Sequence, residues 1–288
     1  IPILMPLHQS LAANQIESIV GILNGTTNYI LSQMTETGVN YANALADAQK
    51  QGFAEADPTN DVCGFDAARK LAILSSIGFR ANVTFDDVLV EGIEKIDKSD
   101  IQYAKDMGYT IKLLTVALRQ ENGIALNVYP AFLPDNHPLS SVKGAYNAIY
   151  VTGNIVDDVM FYGRGAGALP TASAVMGDVI STAQHILNGS TGTGMIMTDT
   201  KRIPFYSSLK LQNSYYFRLD VDDVTGVLSQ IAENDISICE VVQKRKTKGL
   251  AELVLITELA SRESILQVEK ALQVLPCMRK VANVIRVM

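Results

Sequence analysis

The sequence lacks the features that announce several common kinds of protein. It has three cysteines in 288 residues, Cys63, Cys239 and Cys277, far apart and without a CxxC. A disulfide framework or zinc site is therefore excluded, and reduced thiols in the cytoplasm are the expectation. No long Lys/Arg run occurs and the formal net charge is −6, so the basic footprint of a nucleic-acid binder is missing. Nothing marks an anionic membrane partner, and no apolar stretch approaches the ~18 residues of a membrane span. The histidines His8, His137 and His185 form neither a spaced metal pair nor a triad with a nucleophile. There is no GxSxG, no P-loop and no internal repeat. The chain opens on Ile1 without the charged start and cleavage site of a signal peptide, and reads as part of something longer.

What is present is apolar residue, 48% against 19% charged. That is enough to bury a sizeable core in one large or two ordinary domains, and too apolar for disorder. Two parts read differently, residues 1–200 and 210–288. Between them, residues 198–212 have linker chemistry, with Lys201, Arg202, Pro204 and the pair Ser207-Ser208, after the small-residue run 188–194. The second part predicts strands at 215–221, 236–244, 250–258 and 281–287 and helices at 224–234 and 261–275. The order βαββαβ is that of a ferredoxin-like split sandwich, and its open sheet edges predict pairing between chains in a homo-oligomer. The first part is mixed α/β. Strands are expected at 16–23, 109–118, 127–132, 148–152 and 158–162. Helices are expected from Tyr29 and over 41–50, 62–77 and 170–187, the last with Pro170 in its first turn. The fold class is thus α/β (α+β), a mixed-sheet domain followed by a βαββαβ domain. The strand order of the first part is not readable from the pattern.

Chemistry could sit in three places. Asn24-Gly25-Thr26-Thr27-Asn28 joins an apolar run to a helix, so its backbone N–H groups can receive a carboxylate or phosphate. The plainer reading is that Asn24 or Thr27 simply caps the helix. The stretch 52–70 carries Glu55, Asp57, Asp61 and Asp66 into a helix, and Asp66 and Lys70, four apart, share a face. Such a pair can be an ordinary surface ion pair. However, Ala67, Ala68, Leu71, Ala72, Ile73, Leu74 and Ile77 predict a helix apolar all round, where embedded charges need pairing or a function. A lysine beside carboxylates can serve as a proton donor. Finally, Gly163, Gly165 and Ala168 match GxGxxA formally, but no acidic residue ends a second strand ~20 residues on, so this is not a dinucleotide fingerprint. The turn, including Gly167, still allows close backbone approach to a ligand.

Taken in this order, residues 21–31, the run from Glu55 through Asp57-Pro58-Thr59, Asp61, Gly64 and Asp66 to Lys70 and Leu74, and residues 163–173 resemble the homoserine dehydrogenases. The likeness covers nearly the whole chain. Residues 222–228, Asp222-Asp223-Val224-Thr225-Gly226-Val227-Leu228, resemble the loop and helix start of an ACT domain, a module those enzymes often carry at the C-terminus. Cys63 departs from the family, where Glu is common, as do Met5, His8 and Gln9.

The resemblance implies NAD(P)-dependent interconversion of L-homoserine and L-aspartate 4-semialdehyde, in threonine, methionine and isoleucine biosynthesis. It makes Lys70 the proton donor, with Asp66 holding the substrate and Asp61 close by. It sets Glu55 on the amino group and Gly25 and Thr26 at the substrate end. Gly163, Gly165 and Gly167 fall on the nicotinamide side of NADP or NAD. Ile1 maps to the last backbone ligand of a structural sodium. An amino-acid effector, threonine being the pathway's candidate, is implied at Asp222, Asp223 and Gly226. A nucleotide-binding domain is implied ahead of Ile1, so these 288 residues alone are expected to be inactive. The rival reading is an amino-acid-sensing ACT module on a silent domain. The retained Glu55, Asp61, Asp66 and Lys70 speak against it.

Overall fold

The computed structural model describes residues 1–192, 203–245 and 250–288. A helical turn at Pro6–Ser10 precedes β1 (Ile16–Ile22), which leads into α1 (Gly25–Thr37) and α2 (Tyr41–Lys50). A single turn, α3 (Thr59–Val62), is followed by α4 (Phe65–Gly78), the short β2 (Leu89–Val90) and α5 (Lys98–Asp106). The hairpin β3 (Tyr109–Gln120) and β4 (Gly123–Pro134) comes next, then the hairpin β5 (Tyr146–Gly153) and β6 (Asp157–Arg164), then α6 (Ala168–Leu187). The last part runs β7 (Gln212–Val221), α7 (Val224–Glu233), β8 (Ile238–Arg245), β9 (Ala251–Thr257), β10 (Ala260–Ser261), α8 (Arg262–Gln273) and β11 (Met278–Val287).

The strands order as β6-β5-β1-β3-β4-β11-β7-β9-β8, with β2 beside β4 and β10 beside β7. The C-terminal unit is antiparallel β11-β7-β9-β8, the arrangement that the βαββαβ reading predicts. Its sheet does not stand apart. β11 pairs in parallel with β4 through Arg286↔Ala131 and Val287↔Phe132, so one mixed sheet crosses both parts. The β11 edge is thereby used within the chain, and β6 and β8 end the strand path. The segment expected as a linker lies partly outside the described residues. Its described portion adds to β4: Ile124 N donates to Pro204 O and Tyr206 N to Ile124 O.

Burial explains this continuity. Every residue of β9 is buried, as befits a strand covered on both faces. On one face Leu253 and Leu255 pack with Val227 and Ile231 of α7 and Ile265 and Val268 of α8. On the other, Val254 and Ile256 join the core of the first part, with Leu31, Leu71 and Phe132. Phe132 stacks on Tyr216, ring centroids 4.5 Å apart.

The junction also holds a buried polar cluster. Asp100 is wholly buried, and its carboxylate accepts from Arg218 Nε at 2.8 Å, Asn283 Nδ2 at 2.8 Å and Tyr216 Oη at 3.2 Å. Arg218 reaches Asp97 as well, and Tyr103 Oη donates to Glu252 Oε1 at 2.7 Å.

Two expected elements differ. The helix expected over 62–77 is broken: Gly64, with φ 83°, separates α3 from α4. A side chain there would also press on Val90 and Val128, at 3.1 Å each, so the bend suits glycine twice over. Nor is α4 enclosed all round. Ala67, Ala68, Leu71 and Leu74 are buried, whereas Ile73 is 54% exposed and Arg69 and Lys70 also face outward. The charges of α4 therefore sit on its open face rather than embedded in a core.

Candidate active site

β1 and α1 meet at Asn24, and the site is assembled around this residue. Asn24 caps α1, its Oδ1 accepting from Thr27 N at 2.9 Å and Thr27 Oγ1 at 3.0 Å. That leaves its amide nitrogen free to point away from the helix. Nδ2 donates to Asp61 Oδ1 at 2.7 Å and to Asp66 Oδ2 at 2.9 Å. One carboxamide thus caps the helix and ties its start to both carboxylates, so the capping reading of this turn holds. Lys70 completes the group. Its Nζ donates to Asp66 Oδ2 at 2.7 Å and to Leu23 O at 3.2 Å, which uses two of its three N–H groups. Asp66 and Lys70 side chains are 31% and 48% exposed, so a solute can reach them.

Lys70 opens onto a pocket of about 240 Å³ that also includes Ile73, Leu74, Asn147, Ile149 and Gly165. The glycine turn forms its other side. A Cβ on Gly165 would lie 2.6 Å from Asn147 Oδ1, so glycine here lets Asn147 keep its place. Gly25 is confined in the same way, 2.9 Å from the Ala145 carbonyl. Gly163 is the last residue but one of the edge strand β6, which pairs antiparallel to β5, and Gly167, with φ 112°, precedes α6. A dinucleotide fold would need a parallel strand there, so the structure agrees with rejecting the fingerprint.

The remaining expected residues stand further out. Thr26 Oγ1 donates to Phe53 O at 2.6 Å, which holds the loop after α2 against the start of α1. Glu55 lies on that loop, exposed, with Gln49 bonded to its backbone carbonyl. Its carboxylate is not drawn into the Asn24 cluster. Asp57 turns back on Thr59. Ile1 N donates to Arg164 O at 3.3 Å, while its carbonyl accepts from Ile3 N at 3.0 Å. In the C-terminal unit Asp223 caps α7, accepting from Thr225 N and Gly226 N, and Asp222 pairs with Arg279. Among the described residues, no cluster of three or more His, Cys, Asp or Glu could hold a metal ion, and no helix is long and apolar enough to cross a membrane.

Two buried groups lie behind the site, Asn28 of α1 and Lys112 of β3, and no local pattern in the sequence pairs them. Asn28 donates to the carbonyls of Val142, Gly144 and Tyr146. Its Oδ1 accepts from Lys112 Nζ at 3.0 Å, and Lys112 also donates to Val142 O at 2.5 Å. This network holds the first turn of α1 against the entry to β5. Burial, and then the neighbouring Lys143 ammonium, push the Lys112 amine down to about 8 from 10.5, partly opposed by Glu36. In the unfolded chain the amine keeps its ordinary value. Between these limits the unfolded state binds more protons, so stability contributed here rises with pH. Urea unfolding at about pH 7.5 and about pH 9.5 should show wild type gaining ~1–2 kcal/mol on Lys112→Met. Parallel pH profiles for the two proteins would contradict this.

Comparisons with known proteins give the family of the chain. A model of the family described as homoserine dehydrogenase matches residues 2–180, the span that holds every residue of the Asn24 cluster. The chain belongs to the homoserine dehydrogenase family. The homoserine dehydrogenase of Mycobacterium tuberculosis is 43% identical over 99% of this chain and 68% of its own length. That of Corynebacterium glutamicum is 41% identical over 99% of this chain and 66% of its own. The chain therefore spans about two thirds of the length of these curated relatives. The crystal structure of a homoserine dehydrogenase from Thiobacillus denitrificans superposes with a TM-score of 0.93 at 34% identity, covering 100% of this chain and 68% of that one. A hyperthermophilic archaeal homoserine dehydrogenase mutant, solved in complex with NADPH, superposes with a TM-score of 0.54 at 27% identity, over 64% of this chain and 52% of that one. Within the homoserine dehydrogenase family, the mixed α/β fold of this chain is thus the expected one.

Proposed function

We propose that the protein carrying this chain interconverts L-homoserine and L-aspartate 4-semialdehyde with NADP or NAD, and that Lys70 is the proton donor. The observation that carries the reading is the seating of Lys70. Its ammonium is held by Asp66 and the Leu23 carbonyl with one N–H to spare, facing the pocket beside Gly165. The cofactor, when bound, supplies the hydride. The pocket suits its nicotinamide end, since Ile73, Leu74 and Ile149 give apolar walls and Gly165 admits close backbone approach. Gly163 and Gly167 extend that approach along the turn. As charge develops on the aldehyde oxygen, Lys70 neutralises it and then gives up a proton. Asp61 and Asp66, oriented by Asn24, hold the substrate's polar end against the start of α1 at Gly25 and Thr26. Glu55, on the exposed loop after α2, takes the substrate ammonium.

Other parts of the reading stand further from the site. The apolar side chains Leu169, Val175, Met176, Val179 and Ile180 of α6 are all more than half exposed, and this helix is proposed to seat against the domain that holds the dinucleotide. Ile1 offers one carbonyl, already accepting a hydrogen bond. That does not make a sodium shell, and no step depends on one. The βαββαβ unit is proposed as an ACT-type sensor for threonine, with Asp222, Asp223 and Gly226 at its loop. The enzyme is proposed as a cytoplasmic homo-oligomer of threonine, methionine and isoleucine biosynthesis.

NADPH consumption dependent on aspartate semialdehyde tests the activity. It is expected from the enzyme carrying the chain together with its dinucleotide domain, and not from residues 1–288 alone. Turnover by residues 1–288 alone would contradict the division of labour. No turnover by the larger enzyme would refute the function.

A further inference from the structure

Two side chains bring polarity to the pocket beside Gly165, Lys70 and Asn147, and the other side chains that line it, Ile73, Leu74 and Ile149 among them, are apolar. Asn147 is the second residue of β5, opposite Gly163 of β6, and is 6% exposed. Its Nδ2 donates to Ile22 O at 3.1 Å. Ile22↔Ala148 is the last pair between β1 and β5, so the side chain satisfies a carbonyl where that ladder ends. This bond also fixes the orientation of the amide, since its oxygen turned toward Ile22 O would set acceptor against acceptor. The oxygen therefore faces the other way. A Cβ on Gly165 would stand 2.6 Å from Oδ1, and one on Gly25 3.5 Å. Oδ1 thus lies between the glycine turn and the start of α1, at the wall of the pocket. Among the described residues no group donates to it. An acceptor so nearly removed from water is costly to leave without a donor, and a ligand in the pocket can supply one.

The kind of donor follows from the surroundings. An ammonium group is drawn to carboxylates, and those stand at Asn24, on Asp61 and Asp66. A neutral amide oxygen between apolar walls suits a neutral N–H on a flat, largely apolar body. A nicotinamide ring carries that group, the NH2 of its carboxamide, on the carbon next to the one that bears the hydride. We propose that Asn147 Oδ1 accepts a hydrogen bond from the nicotinamide carboxamide, which makes Asn147 a cofactor-positioning residue. The inference rests on the proposed function, which places the nicotinamide end in this pocket. Held itself by the Ile22 carbonyl, Asn147 limits rotation of the ring beside Lys70 and so sets which face meets the aldehyde. Gly165 has a matching role, because it leaves the space that Oδ1 occupies.

The 3-acetylpyridine analogues of NADP and NAD carry a methyl group where the carboxamide has its NH2, so they keep the carbonyl and lose the donor. Calorimetric titration of the enzyme carrying this chain, dinucleotide domain included, compares parent and analogue for whichever of NADP and NAD binds more tightly. Wild type should bind the parent about 5- to 10-fold more tightly than the analogue, the usual contribution of one hydrogen bond. Asn147→Ala should bind the two within ~2-fold of each other. Gly165→Ala keeps the amide but displaces its oxygen, and should lose the discrimination too. Each ratio is taken within one protein, so a general loss of affinity cancels. Both variants should still bind the parent through the rest of the dinucleotide. Equal binding of parent and analogue by wild type, discrimination retained in either variant, or no binding of the parent by either variant would overturn the assignment. Failure of wild type to bind NADP or NAD is a separate outcome, and would refute the proposed function together with the assignment.

Discussion

Lys70→Ala is expected to lower turnover at least ~100-fold, the ordinary contribution of a positioned general acid, with the KM for aspartate semialdehyde changed only a few-fold. The split follows from the geometry. Asn24 holds Asp61 and Asp66 independently of Lys70, so the grip on the substrate survives the substitution while the proton source does not. Lys70→Arg is the sharper variant. It restores the cation beside Asp66, but a guanidinium does not release its proton in a protein. Turnover should therefore stay close to that of Lys70→Ala. Stability should hardly move, because the Lys70–Asp66 pair is partly exposed and pairs that solvent reaches contribute little. Steady-state kinetics of the enzyme carrying each variant checks all three points. Near-normal turnover in either one would remove Lys70 from the proton-transfer role.

Asp100→Ala should have the largest effect on stability. It leaves Arg218, itself buried, without its closest buried partner and strips acceptors from Asn283 and Tyr216. Breaking a buried pair on one side typically costs about 3–5 kcal/mol. The loss should appear in a single unfolding transition, because Asp100 belongs to the first part, Arg218 and Asn283 to the second, and β4–β11 pairing joins them. Urea unfolding followed by backbone and tyrosine signals tests this. Two separable transitions in wild type, or a loss below ~1 kcal/mol in the variant, would mean that the two halves are only loosely docked. Asp100→Asn keeps an acceptor for Arg218 and should lose less.

These expectations show where the sequence was legible. The βαββαβ unit could be read because its strands and helices are short, regular and set by local patterns. The Asn24 turn and the Asp66–Lys70 spacing were legible because a cap and a helix face are local features too. The sheet order was not, because the β4–β11 pairing joins residues that no local pattern relates. The same holds for Asp100, whose partners Tyr216, Arg218 and Asn283 are more than 100 residues away along the chain, and for Lys112, whose partners Asn28 and Val142 are 84 and 30 residues away. The bend at Gly64 was hidden by the even apolar spacing on either side of it, which suggested one unbroken helix. That misreading made the charges of α4 look embedded. Their position on an exposed face strengthens the case for a site in another way, since it leaves them reachable by substrate. Cys63, where the family commonly has glutamate, gives its thiol to Glu94. Burial, and then that carboxylate, raise the thiol to about 11, so it is not a nucleophile at neutral pH.

The most direct test of the account separates gripping the substrate from protonating it. L-homoserine binding can be titrated calorimetrically into the enzyme carrying this chain, with NADPH present so that no turnover occurs. Asp66→Asn should weaken binding at least ~10-fold, as expected for loss of a charge-assisted contact, while Lys70→Ala should bind within a few-fold of wild type. Equal binding by wild type and Asp66→Asn would contradict the assignment of substrate recognition to the carboxylates gathered by Asn24.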